Sequence, residues 1–154
     1  MNKEQAGRLL TLAYFMKTEV KKKHYDQNTV IAVPPSVKPE VALVHDNFCG
    51  SEGCSLGFLP IAFPKEFKYE KQSNYAHELY WEVSTHDGKA MTAAWAGKHR
   101  EVLVDFFGLD EKEITKIFGT TEERDDGSYV VRTPKQQAKI IEKIVEKHGF
   151  TYSE

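Results

Sequence analysis

The chain is poor in cysteine. Two in 154 residues are too few for a disulfide scaffold. No apolar run approaches the roughly 18–20 residues that span a bilayer. The first residues, MNKEQAGR, lack the apolar core and cleavage pattern of a secretory signal. A cytoplasmic location with no membrane partner is therefore the expectation. An excess of one charge is also lacking: 21 Lys and Arg face 23 Asp and Glu, net -2. That excludes generic nucleic-acid binding driven by a strongly basic surface. The motifs G-x-x-x-x-G-K-(S/T), G-x-G-x-x-G, G-x-S-x-G and H-E-x-x-H do not occur, and with them go the common phosphate-loop, dinucleotide, hydrolase-elbow and zinc-protease readings. Paired H-x-(S/T) motifs, internal repeats and low-complexity tracts are absent as well.

What is present suffices for one core. The hydrophobic fraction is 40%, which suits an ordinary globular chain and argues against disorder. A monomer of this mass exposes roughly 8,000 Å² against roughly 25,500 Å² when unfolded. One globular domain over residues 1–154 is expected. The fold class expected is mainly α, with α+β as the other option: a single compact helical domain with a few short strands.

Apolar residues at helical spacing predict a helix over residues 3–23, with Ala6, Leu9, Leu10, Ala13, Met16 and Val20 on one stripe. Lys21, Lys22 and Lys23 would fall in its last turn and complement its dipole. Three prolines within residues 28–41 exclude a helix across that stretch. A short strand over residues 29–33 and extended chain beyond it are expected there. Ser51 reads as the N-cap of a helix running to residue 59. Residues 65–96 are the least legible: a strand over 78–83, a turn at 86–89, then helix or compact chain over 90–96. Three helices follow. The first covers residues 98–107 and ends at Gly108. The second is capped by the pair Asp110 and Glu113, with Leu109 and Ile114 as a hydrophobic staple, and ends at Gly119. The third starts at Thr133-Pro134-Lys135-Gln136 and runs to His148. Residues 125–128 read as a turn, with a short strand over 129–131.

The charge is unevenly placed. Residues 1–23 carry net +4, residues 101–128 net -6 and residues 129–154 net +2. The acidic segment is either solvated helix surface or a patch for a basic partner. It also stands as a face that meets the basic segment within the fold or across a homo-oligomer.

Candidate chemistry is sparse. Cys54, placed in the first turn of a helix capped by Ser51, would have backbone N–H groups lowering its thiol pKa, the setting a nucleophile needs. The bland alternative is a small buried residue. His45, Cys49 and Cys54 offer part of a zinc set, though Cys-x4-Cys is at the loose edge of ligand spacing and no second pair follows. Trp95, Lys98, His99 and Arg100 combine an aromatic face with cations at a helix start, as an anion or small nucleotide requires. The alternative is a core tryptophan beside solvated cations. No cofactor is implied.

Three pieces of the chain resemble a group of small uncharacterised bacterial and phage proteins. A C-G-(S/T)-x-x-C segment is matched by Cys49-Gly50-Ser51-Glu52-Gly53-Cys54, followed by Ser55-Leu56-Gly57-Phe58. An LGL-type junction is matched by Phe107-Gly108-Leu109-Asp110, ahead of Ile117-Phe118. A T-P-x-Q-x-A helix start is matched by Thr133-Pro134-Lys135-Gln136-Gln137-Ala138. Gly53 stands where such proteins often carry a bulkier residue. The resemblance covers about a third of the chain and implies a small helical protein of mobile-element origin, with no activity attached. The leading functional expectation is a non-enzymatic binding or accessory protein acting on a host protein. A binder of a small nucleotide or anion, and a cysteine- or metal-dependent enzyme, are the alternatives.

Overall fold

The computed structural model describes residues 1–26, 29–45, 51–91, 100–118, 125–127 and 132–150. Helix α1 (Lys3–Thr18) starts at a capping box: the Asn2 side chain accepts from the Gln5 N–H, and the Gln5 side chain accepts from the Asn2 N–H. Its stripe of Ala6, Leu9, Leu12, Ala13 and Met16 is buried and packs on helices α3, α4 and α6, introduced below. The helix stops five residues short of the predicted end. Val20 and His24 are drawn into the body of the protein, and Lys22–His24 form a 3-10 turn. His24 is wholly buried, with Nδ1 2.7 Å from the Ser51 carbonyl and Nε2 2.9 Å from that of His45. Lys21 to Lys23 therefore do not cap α1; Lys17 lies in its last turn.

Two small sheets follow. Strands β1 (Ile31–Ala32) and β2 (Glu52–Gly53) pair antiparallel, Ile31 opposite Gly53. Between them lies the one-turn helix α2 (Pro39–Ala42), with proline at its first position. The predicted helix after Ser51 is not formed. Glu52 and Gly53 are strand, residues 55–58 are turn, and only the single turn α3 (Leu59–Ala62) is helical. The second sheet has the order β3 (Phe67–Ser73), β4 (Leu79–Thr85), β5 (Ala90–Met91), all antiparallel. Strand β3 was not predicted. Of the stretch expected to be helix or compact buried chain, residues 90–91 are strand rather than helix, and Met91 pairs with Val83 and is buried beside it. Phe67, Tyr69 and Val83 share the face that turns to the core.

Helices α4 (Arg100–Phe107), α5 (Glu111–Phe118) and α6 (Pro134–Lys147) close the structure. Gly108 ends α4 at a φ of 67°, the left-handed turn that favours glycine. The last carbonyls of α4 are held by α1: Gln5 Nε2 donates to Asp105 at 2.8 Å and Arg8 Nη1 to Phe106 at 2.9 Å. Both predicted capping boxes are present. The Asp110 N–H meets Glu113 Oε1 at 3.0 Å and the Glu113 N–H meets Asp110 Oδ1 at 2.8 Å. Thr133 and Gln136 repeat the pattern. Edge-on and stacked rings of Phe63, Phe67, Phe106, Phe107 and Phe118, with centroids 4.8–5.9 Å apart, join α3, β3, α4 and α5; such pairs add to simple area burial. The architecture is α+β with two small sheets. Among the described residues no helix is long and apolar enough to cross a membrane. The predicted ends of α4 at residue 98 and α5 at Gly119, and the predicted strand over residues 129–131, lie outside the described residues.

Candidate functional site

Cys54 follows β2 and is 1% exposed. It is not in a helix first turn, so that expectation is corrected. Backbone amides nevertheless reach its sulfur, from Leu56 and Gly57 in the turn that follows, and they act to lower its pKa. Burial outweighs them and pushes the thiol up to about 11. That direction is the reverse of what a nucleophile needs. Its neighbours are structural. The Val30 carbonyl lies against Gly53 and Gly57, and a Cβ at Gly57 would stand 1.9 Å from its oxygen. Sγ of Cys54 faces the same carbonyl at 4.0 Å. The Tyr69 hydroxyl donates to the Gly57 carbonyl at 2.6 Å, with burial holding its phenol well above the ordinary range. The glycines and cysteine of this segment let a loop, a strand and a turn pack in contact.

Of the other sequence candidates, only His45 and Arg100 fall within the described residues. His45 is exposed, and it is its carbonyl that is used, by His24. Cys49 lies outside the described residues. Among the described residues no group of three His, Cys, Asp or Glu side chains is placed to hold a metal. Trp95, Lys98 and His99 also lie outside them. Arg100 is committed to α5: it pairs with Glu111 Oε2 at 2.9 Å and donates to the Glu111 carbonyl and to Thr115 Oγ1 at 3.2 Å. These bonds tie α4 to α5.

A different surface emerges at the β3–β4 hairpin, which sequence reasoning missed. The turn is built by Asn74. Its Oδ1 accepts from the Ala76 and Glu78 N–H groups, its carbonyl from the His77 N–H, and His77 takes the left-handed φ of 61°. This ordered turn leaves Tyr75 99% exposed. Leu79 and Tyr80 follow at 51% and 41%, on opposite faces of the outer hairpin. Tyr80 donates to Glu82, whose charge raises the phenol above its usual range. Behind the hairpin opens a cleft of about 560 Å³ between the core face of the sheet, α2 and α3. Trp81, Tyr69, Ile61 and Pro60 form its apolar walls and Lys38 and Glu40 its polar rim. Trp81 is anchored there by an N–H bond to the Pro34 carbonyl at 3.3 Å and by the Lys71 ammonium over its ring. The signal available in the sequence was the aromatic pair Tyr80-Trp81 preceded by Asn74-Tyr75; the alternation of β3 is too interrupted by charge to stand out.

Set against models of protein families, curated proteins and solved structures, the chain has no match in any of the three comparisons.

Proposed function

We propose that the protein is a non-enzymatic binding protein that engages another protein through the outer β3–β4 hairpin and the cleft behind it. The observation that carries this reading is the presentation of Tyr75, Leu79 and Tyr80 to solvent by a hydrogen-bonded turn. Exposed aromatic groups are enriched among the residues that carry binding energy at protein interfaces, and here a hydrogen-bonded turn presents them. Trp81 and the apolar wall of the cleft continue that surface inward. A partner side chain seated there would meet Lys38 and Glu40 at the rim, a polar border around an apolar centre. The setting implied by the resemblance, a phage or bacterial accessory protein in the cytoplasm, makes a host protein the partner. The buried, protonated thiol of Cys54 favours this reading over a cysteine enzyme.

The test compares wild type with the triple variant Tyr75→Ser, Leu79→Ser, Tyr80→Ser as baits in a pull-down from a bacterial lysate. One protein should be retained by wild type and lost by the variant, while the circular dichroism and melting temperature of the two agree. Retention of the same proteins by both would defeat the proposal. Light scattering on the purified chain provides a second arm. A dimer that the triple substitution dissociates would identify the partner as a second copy.

A further inference from the structure

A strongly charged site lies between α5 and α6. Lys112 and Lys116 stand one turn apart on α5, and Lys143 and Lys147 one turn apart on α6. These four, with Glu113 and Ile144, line one cleft of about 290 Å³. Glu113 is 4% exposed and already satisfied. Its carboxylate accepts from the Asp110 N–H, lies 2.8 Å from His148 Nε2 and is 4.0 Å from Lys147 Nζ. Lys112, Lys116 and Lys143 have no ion-pair partner among the described residues.

This arrangement is unfavourable in the free protein. Like charges one turn apart on a helix repel by roughly 0.2–0.5 kcal/mol per pair, and here two such pairs face each other. Lys112 also lies in the first turn of α5, where the helix dipole disfavours a cation. Dipole complementarity accounts for Lys116 and Lys147, in last turns, but not for Lys112 or Lys143. Together the cleft concentrates four positive charges against one carboxylate in a chain of net charge -2.

We propose that this cleft binds a short phosphate chain, either inorganic oligophosphate or the triphosphate end of a nucleotide, with Lys112, Lys116, Lys143 and Lys147 as its ligands. The cleft is open to solvent, so a few linked phosphates can lie between the two pairs of lysines. The four lysines line one space from two helices. Lys135 and Lys139 continue the α6 row but do not line the cleft, so four of these six lysines share one space. A nucleic-acid strand, which draws its affinity from many phosphates in a row, fits this less well. The site is independent of the hairpin and does not depend on its role.

Calorimetry on the intact chain at 50 mM and 200 mM salt tests the proposal, with orthophosphate, inorganic triphosphate, ATP and a single-stranded oligonucleotide as ligands. Inorganic triphosphate should bind at least tenfold more tightly than orthophosphate and weaken as salt rises. The double variant Lys116→Gln, Lys143→Gln should lose at least tenfold in affinity with its melting temperature intact or raised. The control Lys135→Gln, Lys139→Gln on the same helix should stay within about twofold of wild type. ATP binding more tightly than triphosphate would identify the source as a nucleotide, and equal affinities as inorganic phosphate. No binding of triphosphate or ATP at low salt, unchanged binding by the Lys116/Lys143 variant, or tighter binding of the oligonucleotide would overturn it.

Discussion

Gly57 is confined by a backbone rather than a side chain, so nothing can move aside cheaply for a substituent. The Val30 carbonyl that blocks it is part of the chain leading into β1. Gly57→Ala should cost roughly 3 kcal/mol, at the upper end of overpacking penalties, read as a lowered urea midpoint. A loss below about 1 kcal/mol would show that the loop yields. Cys54 beside it should behave as a core residue. In a Cys49→Ser background the remaining thiol should react with a thiol reagent at pH 7 only as fast as the protein unfolds, and at the free-cysteine rate in denaturant. Fast labelling of the native protein would restore the nucleophile reading. Glu52 is held above its ordinary value near 4.5, first by burial and then by the Asp26 carboxylate. Ionising it thus costs the folded state more than the unfolded one. Its favourable contribution is complete below the unfolded value and is lost as pH rises through the folded one. Glu52→Gln should therefore melt higher than wild type at pH 7, and the gap should close as the pH falls toward 4. A pH-independent gap would assign the effect to packing.

At the scale of elements, the helices with local punctuation were legible and the sheets were not. Asp110 with Glu113, and Thr133 with Pro134 and Gln136, encode helix starts in four consecutive residues, and the structure has both boxes. Asp110→Ala removes the acceptor for the Glu113 N–H and should destabilise by about 1 kcal/mol. An unchanged unfolding free energy would show water replacing that cap at no cost. The end of α1 was not legible, because the chain after it is drawn inward by the burial of Val20 and His24, the latter bonded to carbonyls 21 and 27 residues away in sequence. Strand β3 was hidden by its own position. It is an edge strand whose Lys68, Glu70 and Lys71 guard against further pairing, and those charges erase the alternation that marks a strand. Strand β2 is two residues long and is held by its pairing with β1 and by a bridge from Gly53 to Tyr25, both distant in sequence. For the candidate site, the sequence singled out the cysteine segment, where the glycines proved to matter for close packing. The hairpin surface depends on cross-strand register, and the lysine cleft on two helices being adjacent; neither is written in local spacing.

The whole molecule divides by how each part is anchored. Helix α1 is the hub: its apolar stripe packs on α3, α4 and α6, Lys17 reaches Glu142 on α6, and Gln5 and Arg8 hold the end of α4. Opening any of these interfaces exposes wholly buried residues such as Leu9, Met16, Phe107 and Ile141. The outer hairpin has no such backing. Beyond Trp81 none of its side chains is buried, and Glu70 and Glu82 stand directly opposite each other across the strands, a like-charge pairing that weakens the ladder. An isolated two-stranded ribbon is marginal in water. Native-state hydrogen exchange should therefore show two regimes. Amides of α1 and α6 should exchange only through global unfolding, and should slow or speed with every stability variant above. Amides of residues 71–80 should exchange through local opening and be indifferent to Asp110→Ala. Equal protection in both regions would mean that the hairpin is braced as firmly as the core. The same experiment then separates the two proposed surfaces. A protein partner should protect residues 71–80 and leave α5 unchanged, whereas triphosphate should slow exchange in α5 and the C-terminal half of α6 and leave the hairpin as it was.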